Sequence, residues 1–302
     1  AGDPAFATVD LGGTVAGLKL DDPSLQAALG EAPAFSGKAW LDAAKTRLTV
    51  ESLSVDGRSV RLAGQGSFGF EDQRVAAQLN LQADDLKAIA APAGSAASGG
   101  VRLVATLEGT LQPSAVSGRL EGQGSSLATG IPALDALFGP APRLEVPTFS
   151  WSDQAGLDAP SVRLLGRNVS GGGHLRLGNQ PDGLDARLQL TVPSLTPLSA
   201  AVGSPLRGRA TLQGEAQGPP GDPRVALAAR LDDGAVGDVT VATATADLRV
   251  ADAVSRPAGR LTLDGRTSEG PVSASTDFVV ENNRWLRIEH LVAQQNGACS
   301  AQ

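Results

Sequence analysis

The sequence predicts an all-β protein with a few short helices, built as a long antiparallel β-sheet that curls lengthwise into an open trough with an apolar interior. Three observations predict this class. Apolar and polar residues alternate along most of the 302 residues, 37 glycines and 19 prolines interrupt the chain at short intervals, and several short patterns recur. Alternation places apolar side chains on one face of a strand, and frequent turn residues favour short strands joined by hairpins.

The strands follow from this alternation. Val75, Ala77, Leu79 and Leu81 fall on one face, with polar residues between them. Strands with one polar, solvent-facing side and one apolar side are typical of antiparallel sheets. The same pattern appears near residues 101–107, 184–190, 210–212, 225–229, 239–241, 261–263 and 278–280. Hairpin turns are predicted at Asp56-Gly57, Glu71-Asp72, Asp182-Gly183, Asp233-Gly234 and Asp264-Gly265.

Four short helices interrupt the strands. A helix is predicted from Asp22 and Pro23 to about Leu29, and another over 132–138, because each has proline at its start and glycine after its end. Segments 84–91 and 196–202 follow an alternating strand in the same way and precede a glycine. Their shortness indicates connectors or lids rather than a helical layer.

Internal repetition sets the predicted modules. Residues 60–64 return as 162–166, residues 78–81 as 187–190, and residues 105–109 as 210–214, all in the same order. The offsets differ by a few residues, which loop insertions would explain. Stacked modules of this kind share one apolar surface and favour transport, scaffolding or binding over catalysis. The predicted modules are 1–142, 143–250 and a truncated copy at 251–302.

Composition argues against several function classes. The formal charge of −7 and the lack of a basic stripe argue against nucleic-acid binding. The pattern Gly64-x-Gly66-x-x-Gly69 matches a dinucleotide fingerprint, but no helix is predicted to begin after it. His174 and His290 stand far apart with no ligand-like spacing around them, and Cys299 is alone. We therefore expect no catalytic residues, no metal and no cofactor, and predict that the protein is not an enzyme.

The order of these elements resembles the TamB/AsmA-like proteins of Gram-negative bacteria. The resemblance rests on a Leu-x-Val strand, a Val-Arg-Leu-x-Gly strand, a Leu-x-Leu strand, a short helix at 195–202 and the Gly-Arg-Ala-Thr-Leu-x-Gly strand at 208–214. The resemblance covers nearly the whole chain, but it lies in the type and order of the repeated elements rather than in a fixed motif. The loop at 94–100 departs from it. The family has no catalytic residues to carry over.

The resemblance implies a periplasmic bridge that moves phospholipid between the inner and outer membranes and is linked to outer-membrane protein and autotransporter biogenesis. Implied partners are phospholipid acyl chains and an outer-membrane barrel protein of the TamA or assembly-factor type. The sequence has no apolar run of membrane-spanning length and no secretion signal. We therefore expect a fragment whose inner-membrane anchor lies outside it.

A lipid groove would be lined by the apolar alternating set. Scarce aromatics, 3% of residues, suit such a groove because rings would obstruct it. The candidate groove residues are Val50, Leu62, Leu79, Leu81, Val101, Leu103, Leu107, Val146, Leu164, Leu188, Leu190, Leu212, Leu227, Leu261, Leu263 and Val280. Alternation alone leaves other possibilities open: a sandwich or barrel whose apolar faces pack together, a scaffold that pairs its edge strands with nascent outer-membrane strands, and a passive structural repeat.

Overall fold

The structure is a computed structural model that describes residues 5–255, 257–268, 270–281, 285–295 and 298–301. These residues form 18 β-strands and four α-helices, and the predicted all-β antiparallel class with a few short helices is confirmed. By contacts the chain divides into two compact units, unit 1 at Ala1–Gln154 and unit 2 at Ala155–Gln302. Strand β8, which was predicted to open the second module, thus belongs to unit 1; the module boundaries themselves remain a prediction.

Unit 1 is an antiparallel meander in which each strand pairs with the next. Its strands are β1 (Ala5–Thr14), β2 (Ala34–Asp42), β3 (Arg47–Asp56), β4 (Val60–Gly69), β5 (Arg74–Ala83), β6 (Ser98–Leu111), β7 (Ser114–Ala128) and β8 (Arg143–Ser152). Its helices are α1 (Pro23–Leu29), α2 (Leu86–Ala90) and α3 (Pro132–Phe138). All three follow odd-numbered strands, so they lie at one end of the sheet, which we call the helical end of unit 1.

Unit 2 is a second antiparallel meander with one α-helix, α4 (Ser199–Val202). Its strands are β9 (Gly156–Leu165), β10 (Ser170–Leu177), β11 (Leu184–Val192), β12 (Leu206–Gly218), β13 (Arg224–Val236), β14 (Val239–Ala251), β15 (Ala258–Thr267), β16 (Gly270–Glu281), β17 (Trp285–Gln295) and β18 (Ala298–Ala301). Single 3₁₀ turns at Ala91–Ala93 and Thr196–Leu198 adjoin α2 and α4.

Three of the five predicted hairpin turns are found, and two are wrong. Asp233-Gly234 lies inside β13, where Asp233 has a φ of 52° and the register with β12 shifts. An aspartate in the left-handed region here makes a bulge instead of a chain reversal. Asp264-Gly265 lies inside β15, with Gly265 paired to both neighbouring strands. The Gly64–Gly69 pattern lies within β4, a strand, as its context in the sequence indicated.

In the structure, equivalent features recur at a constant spacing of 109 residues, in contrast to the varying offsets found in the sequence. Helices α1 and α3 both have seven residues, start at prolines 109 positions apart and end before glycines with the same spacing. The amide of Leu20 donates to the side chain of Gln26 at 2.7 Å, and the amide of Thr129 donates to that of Asp135 at 2.6 Å. The same spacing of 109 relates these two hydrogen bonds.

Turns and strand registers repeat with this spacing too. The Gly57 amide donates to the Val60 carbonyl, and the Gly166 amide donates to that of Val169. Positive φ angles recur in the pairs Gly17 and Ser126, Gly94 and Gly203, and Gly99 and Gly208. The copies 17–99 and 126–208 therefore match without insertion. The patterns at 60–64 and 162–166 are not equivalent, because β4 corresponds to β10 rather than to β9.

Candidate functional site

One face of the unit 1 sheet is apolar from its first strand to its last. Residues that pair directly across an antiparallel ladder lie on the same face. One row crosses seven strands through Phe35, Val55, Leu62, Leu81, Leu103, Gly122 and Leu144. Parallel rows contain Leu41, Leu48, Phe68, Val75, Val116 and Trp151, and Leu11, Leu53, Leu79, Ala105, Leu120 and Val146. No charged residue occurs in these rows, which together we call the apolar face of unit 1.

Unit 2 has an apolar face of the same kind. Its central row contains Val162, Gly173, Leu188, Gly214, Leu227, Leu248, Leu261, Thr276 and Leu291. A neighbouring row contains Leu164, Gly171, Leu190, Leu212, Ala229, Ala246, Leu263, Ala274 and Ala293. Thr276 is the one polar residue in these two rows, and none is charged.

The charged side chains lie on the opposite face of each sheet. Lys38 Nζ lies 3.0 Å from Glu51 Oε2 in unit 1, and Arg187 Nε lies 3.5 Å from Glu215 Oε1 in unit 2. His174 also lies on this polar face of unit 2, with its Nε2 3.5 Å from Asp185 Oδ2. Each sheet is therefore amphipathic, with salt bridges on one face and hydrocarbon on the other.

All sixteen predicted groove residues lie on the two apolar faces. Eight belong to unit 1 and eight to unit 2, and in each unit the strand register places them on one side of the sheet. Whether they bind lipid remains a prediction. Further members of the unit 1 face were missed, among them Leu53 and Leu120. A bulge after Val50 shifts the alternation before Leu53, and glycines replace the apolar neighbours of Leu120.

Little covers these faces. Leu188, Leu227 and Leu263 are 38%, 46% and 39% exposed although they lie on interior strands of unit 2. On the apolar face of unit 1 only Ala83 and Val146 are fully buried among the described residues. Two apolar faces packed together would exclude water from most of their side chains. Within each unit, the apolar face therefore keeps side chains in contact with water.

The total accessible surface agrees with this. The chain exposes 18,480 Å². Two separate compact domains of half its mass would expose about 14,000 Å² together. Eight strands about 4.8 Å apart and about 33 Å long make a face of about 1,000 Å² in unit 1, whereas the largest apolar patch of a typical monomer is about 300–600 Å². Exposed apolar side chains spread over such a face indicate a binding surface.

The depressions in the surface lie elsewhere. One depression of about 640 Å³ lies on the polar face of unit 2 and is lined by Arg224, Arg249, Arg260 and Asp277 among others. Another of about 370 Å³ lies on the polar face of unit 1 beside Gln65, Gln78 and Thr106. Charged or amide groups contribute to the lining of both. The apolar faces are open surfaces rather than pockets.

Other kinds of site have little support. Within the described ranges, no three His, Cys, Asp or Glu side chains come together in a way that could hold a metal ion. In the same ranges, no helix combines the length and apolar character needed to span a membrane. Comparison with protein-family models, with curated proteins and with solved structures finds no match to this chain. The two apolar faces are therefore the candidate functional site.

Proposed function

We propose that the apolar faces bind the acyl chains of phospholipids and that this chain is a segment of a periplasmic lipid bridge. The observation that carries the proposal is the charge-free row of leucines that crosses the strands of each unit, which is partly exposed to water and reaches 46% exposure at Leu227 of unit 2. A surface of this kind, repeated strand after strand, offers continuous cover for hydrocarbon without a selective pocket. The resemblance to TamB/AsmA-like proteins supports the same function, including the link to outer-membrane protein biogenesis and a barrel partner.

The free energies involved are large enough to need such cover. Transfer of one methylene from water to an apolar environment is worth about 0.8 kcal/mol, so a tail of about fifteen methylenes loses about 12 kcal/mol when it is fully exposed. Leu227, at 46% exposure, also gains when an acyl chain covers it. Protein and lipid therefore each bury apolar surface that is otherwise in water.

Two adjacent residues of β11 provide a sharp test. Leu188 lies on the apolar face and Gln189 on the polar face, and both side chains are exposed. We expect Leu188→Glu to reduce the phospholipid that copurifies with the 302-residue chain, measured by native mass spectrometry, because it places a carboxylate beneath the hydrocarbon. Gln189→Glu adds the same charge on the other face and should leave lipid content unchanged.

The folded state can be checked separately. Because Leu188 is already 38% exposed, both variants should keep the circular dichroism spectrum of the parent. Absence of lipid from the parent protein, even after incubation with phospholipid vesicles, would contradict the proposal and leave a structural repeat. Equal lipid loss in both variants would show that charge, rather than the apolar face, controls binding.

A further inference from the structure

Three arginines border one depression on the polar face of unit 2. Arg224, Arg249 and Arg260 line the depression of about 640 Å³. Arg249 of β14 pairs directly with Arg260 of β15. It also pairs with Ala226 of β13, and Arg224 lies two positions from Ala226 on the same face of that strand. Strand pairing therefore brings three guanidinium groups together in a chain whose net charge is −7.

The carboxylates at this depression already have partners. Asp277 accepts hydrogen bonds from Nε and Nη2 of Arg260 at 2.6 and 2.9 Å. Glu215 Oε1 lies 3.5 Å from the Nε of an arginine of β11. Among the described residues, neither an ion pair nor a side-chain hydrogen bond is found for Arg224 or Arg249. Each of these two guanidinium groups therefore has all five of its N–H donors unused.

The direct pairing of Arg249 with Arg260 is unfavourable without an anion between them. Like charges directly opposite each other across an antiparallel ladder destabilise a sheet. Asp247, the neighbour of Arg249 on this face of β14, forms no ion pair with it within the described ranges. An anion bound by both arginines would remove their repulsion and accept charge-assisted hydrogen bonds from them.

Small side chains leave room for a ligand between the arginines. Ala226, Ala251 and Ala258 also line the depression, and the strand registers place them on the same face as the three arginines. Each of these residues contributes a single methyl group, whereas an arginine side chain is long. A tetrahedral anion can therefore approach the sheet over the alanines and receive hydrogen bonds from more than one strand.

We propose that Arg224, Arg249 and Arg260 form a binding site for a phosphate monoester group. Two unpartnered guanidinium charges balance the charge of about −1.5 to −2 that such a group carries at pH 7. The planar guanidinium fork donates pairs of hydrogen bonds to phosphate oxygens. Asp277 holds the Arg260 side chain through Nε and Nη2, which leaves Nη1 for the ligand. The site lies on the face opposite the leucine rows, so this inference does not depend on acyl-chain binding.

Calorimetric titration of the 302-residue chain with glycerol 3-phosphate tests the site. The parent should bind, and Arg249→Gln should bind about tenfold or more weakly because charge-assisted hydrogen bonds are lost. Arg266→Gln is the matched control. Arg266 is exposed on the same face of β15, about 20 Å from Arg260 along the strand, and forms no ion pair within the described ranges. This control should bind like the parent. Absence of binding by the parent, or an equal loss in both variants, would overturn the proposal.

Thermal unfolding gives a second, independent measurement. Without phosphate, Arg249→Gln should unfold at the same temperature as the parent or higher, because the substitution removes a like-charge pair. Glycerol 3-phosphate should raise the unfolding temperature of the parent and of Arg266→Gln, since a ligand that binds the folded state stabilises it. The same rise in Arg249→Gln would overturn the proposal.

Two further ligands define the chemistry and its source. Dimethyl phosphate, a diester with one negative charge, should bind more weakly than glycerol 3-phosphate, and equal or tighter binding would contradict the monoester assignment. Dihexanoyl phosphatidate, titrated as a monomer, carries the monoester group on a lipid. Tighter binding of this lipid that Arg249→Gln abolishes would assign the site to a lipid headgroup, and affinity equal to that of glycerol 3-phosphate would assign it to a soluble ligand. Binding of both ligands that Arg249→Gln leaves unchanged would overturn the proposal.

Discussion

The apolar faces of the two units are made of similar residues but pack differently. In one row of unit 1, branched side chains stand next to one another, as in Val55, Leu62, Leu81 and Leu103, and each of these four is less exposed than Leu188 of unit 2. In the central row of unit 2, Leu188 lies between Gly173 and Gly214. Lateral contact between cross-strand neighbours therefore shields the row of unit 1 that contains Leu62 and Leu81, whereas glycine neighbours expose Leu188, as they expose Leu53 in another row of unit 1.

This contrast suggests that the two faces differ in how their side chains contribute to stability. Contiguous side chains stabilise the sheet of unit 1 itself, because each covers part of its neighbour. In unit 2, the glycines on both sides of Leu188 leave it without side-chain neighbours along its row. Unit 1 also has three helices at its helical end, where the Arg58 and Ser59 amides donate to the carbonyls of Leu29 and Ala28. Unit 2 has one α-helix among its described residues and depends more on strand pairing.

The glycines beside Leu188 provide the largest predicted effect. A Cβ at Gly173 would overlap the carbonyl oxygen of Arg187, a backbone atom that cannot move aside. We expect Gly173→Ala to reduce the free energy of unfolding by about 2 kcal/mol or more, measured by urea denaturation followed by circular dichroism. A Cβ at Gly214 would lie 3.1 Å from Leu227 Cδ2, a flexible side-chain end.

Gly214→Ala is the matched control on the other side of Leu188. The alanine reduces the conformational freedom of the unfolded chain and fills part of a gap. We therefore expect the free energy of unfolding to stay the same or to rise by up to about 1 kcal/mol. A large loss in both variants would show that the spaces beside Leu188 are equally tight, and the contrast between filled and open rows would not hold there.

Leucine truncation tests the same contrast between the units. Leu103 is partly buried between Leu81 and Gly122, whereas Leu227 is 46% exposed. We expect Leu103→Ala to lower the free energy of unfolding by about 2 kcal/mol, near the low end for leucine truncation. Leu227→Ala should lower it by less than about 1 kcal/mol, because nearly half of that side chain is already in water. Equal losses in urea denaturation would mean that lateral packing does not distinguish the faces.

These particular residues show which features local sequence determines. Alternation around Leu103 and Leu188 predicted the correct face, because a strand has a side-chain period of two and one face carries all the charge. Capping residues predicted α1, where the Asp22 side chain accepts hydrogen bonds from the Ser24 and Leu25 amides. Both signals act within a few residues of the chain, so a single sequence contains them.

Other features depend on distant partners. The 109-residue spacing is carried by turn and cap positions such as Gly57 with Gly166 and Asp85 with Ser194, whereas short apolar patterns recur on many strands and align by chance. Asp233-Gly234 has the composition of a turn, yet pairing with β12 and β14 makes it a bulge. The difference in exposure between the faces could not be predicted either, since it depends on which residues become cross-strand neighbours.

The polar faces give the smallest predicted effect, a dependence of stability on pH. Arg260 donates from Nε and Nη2 to the two Asp277 carboxylate oxygens at 2.6 and 2.9 Å, in the sheet of unit 2. This hydrogen bonding is the largest cause that holds the pKa of Asp277 below its usual value. In unit 1, the amide and hydroxyl of Thr129 lower the pKa of Asp135 at the helical end.

A carboxyl whose pKa is lower in the folded state contributes stability above its unfolded pKa of about 3.9, and loses that contribution as the pH falls through the folded value. Asp277→Asn should therefore be less stable than the parent at pH 7, and the difference should shrink as the pH falls below about 4. Thermal unfolding of both proteins across this range would measure it. A difference independent of pH would mean that the carboxylate charge is irrelevant, and that Asp277 stabilises β15 and β16 only as a hydrogen-bond acceptor.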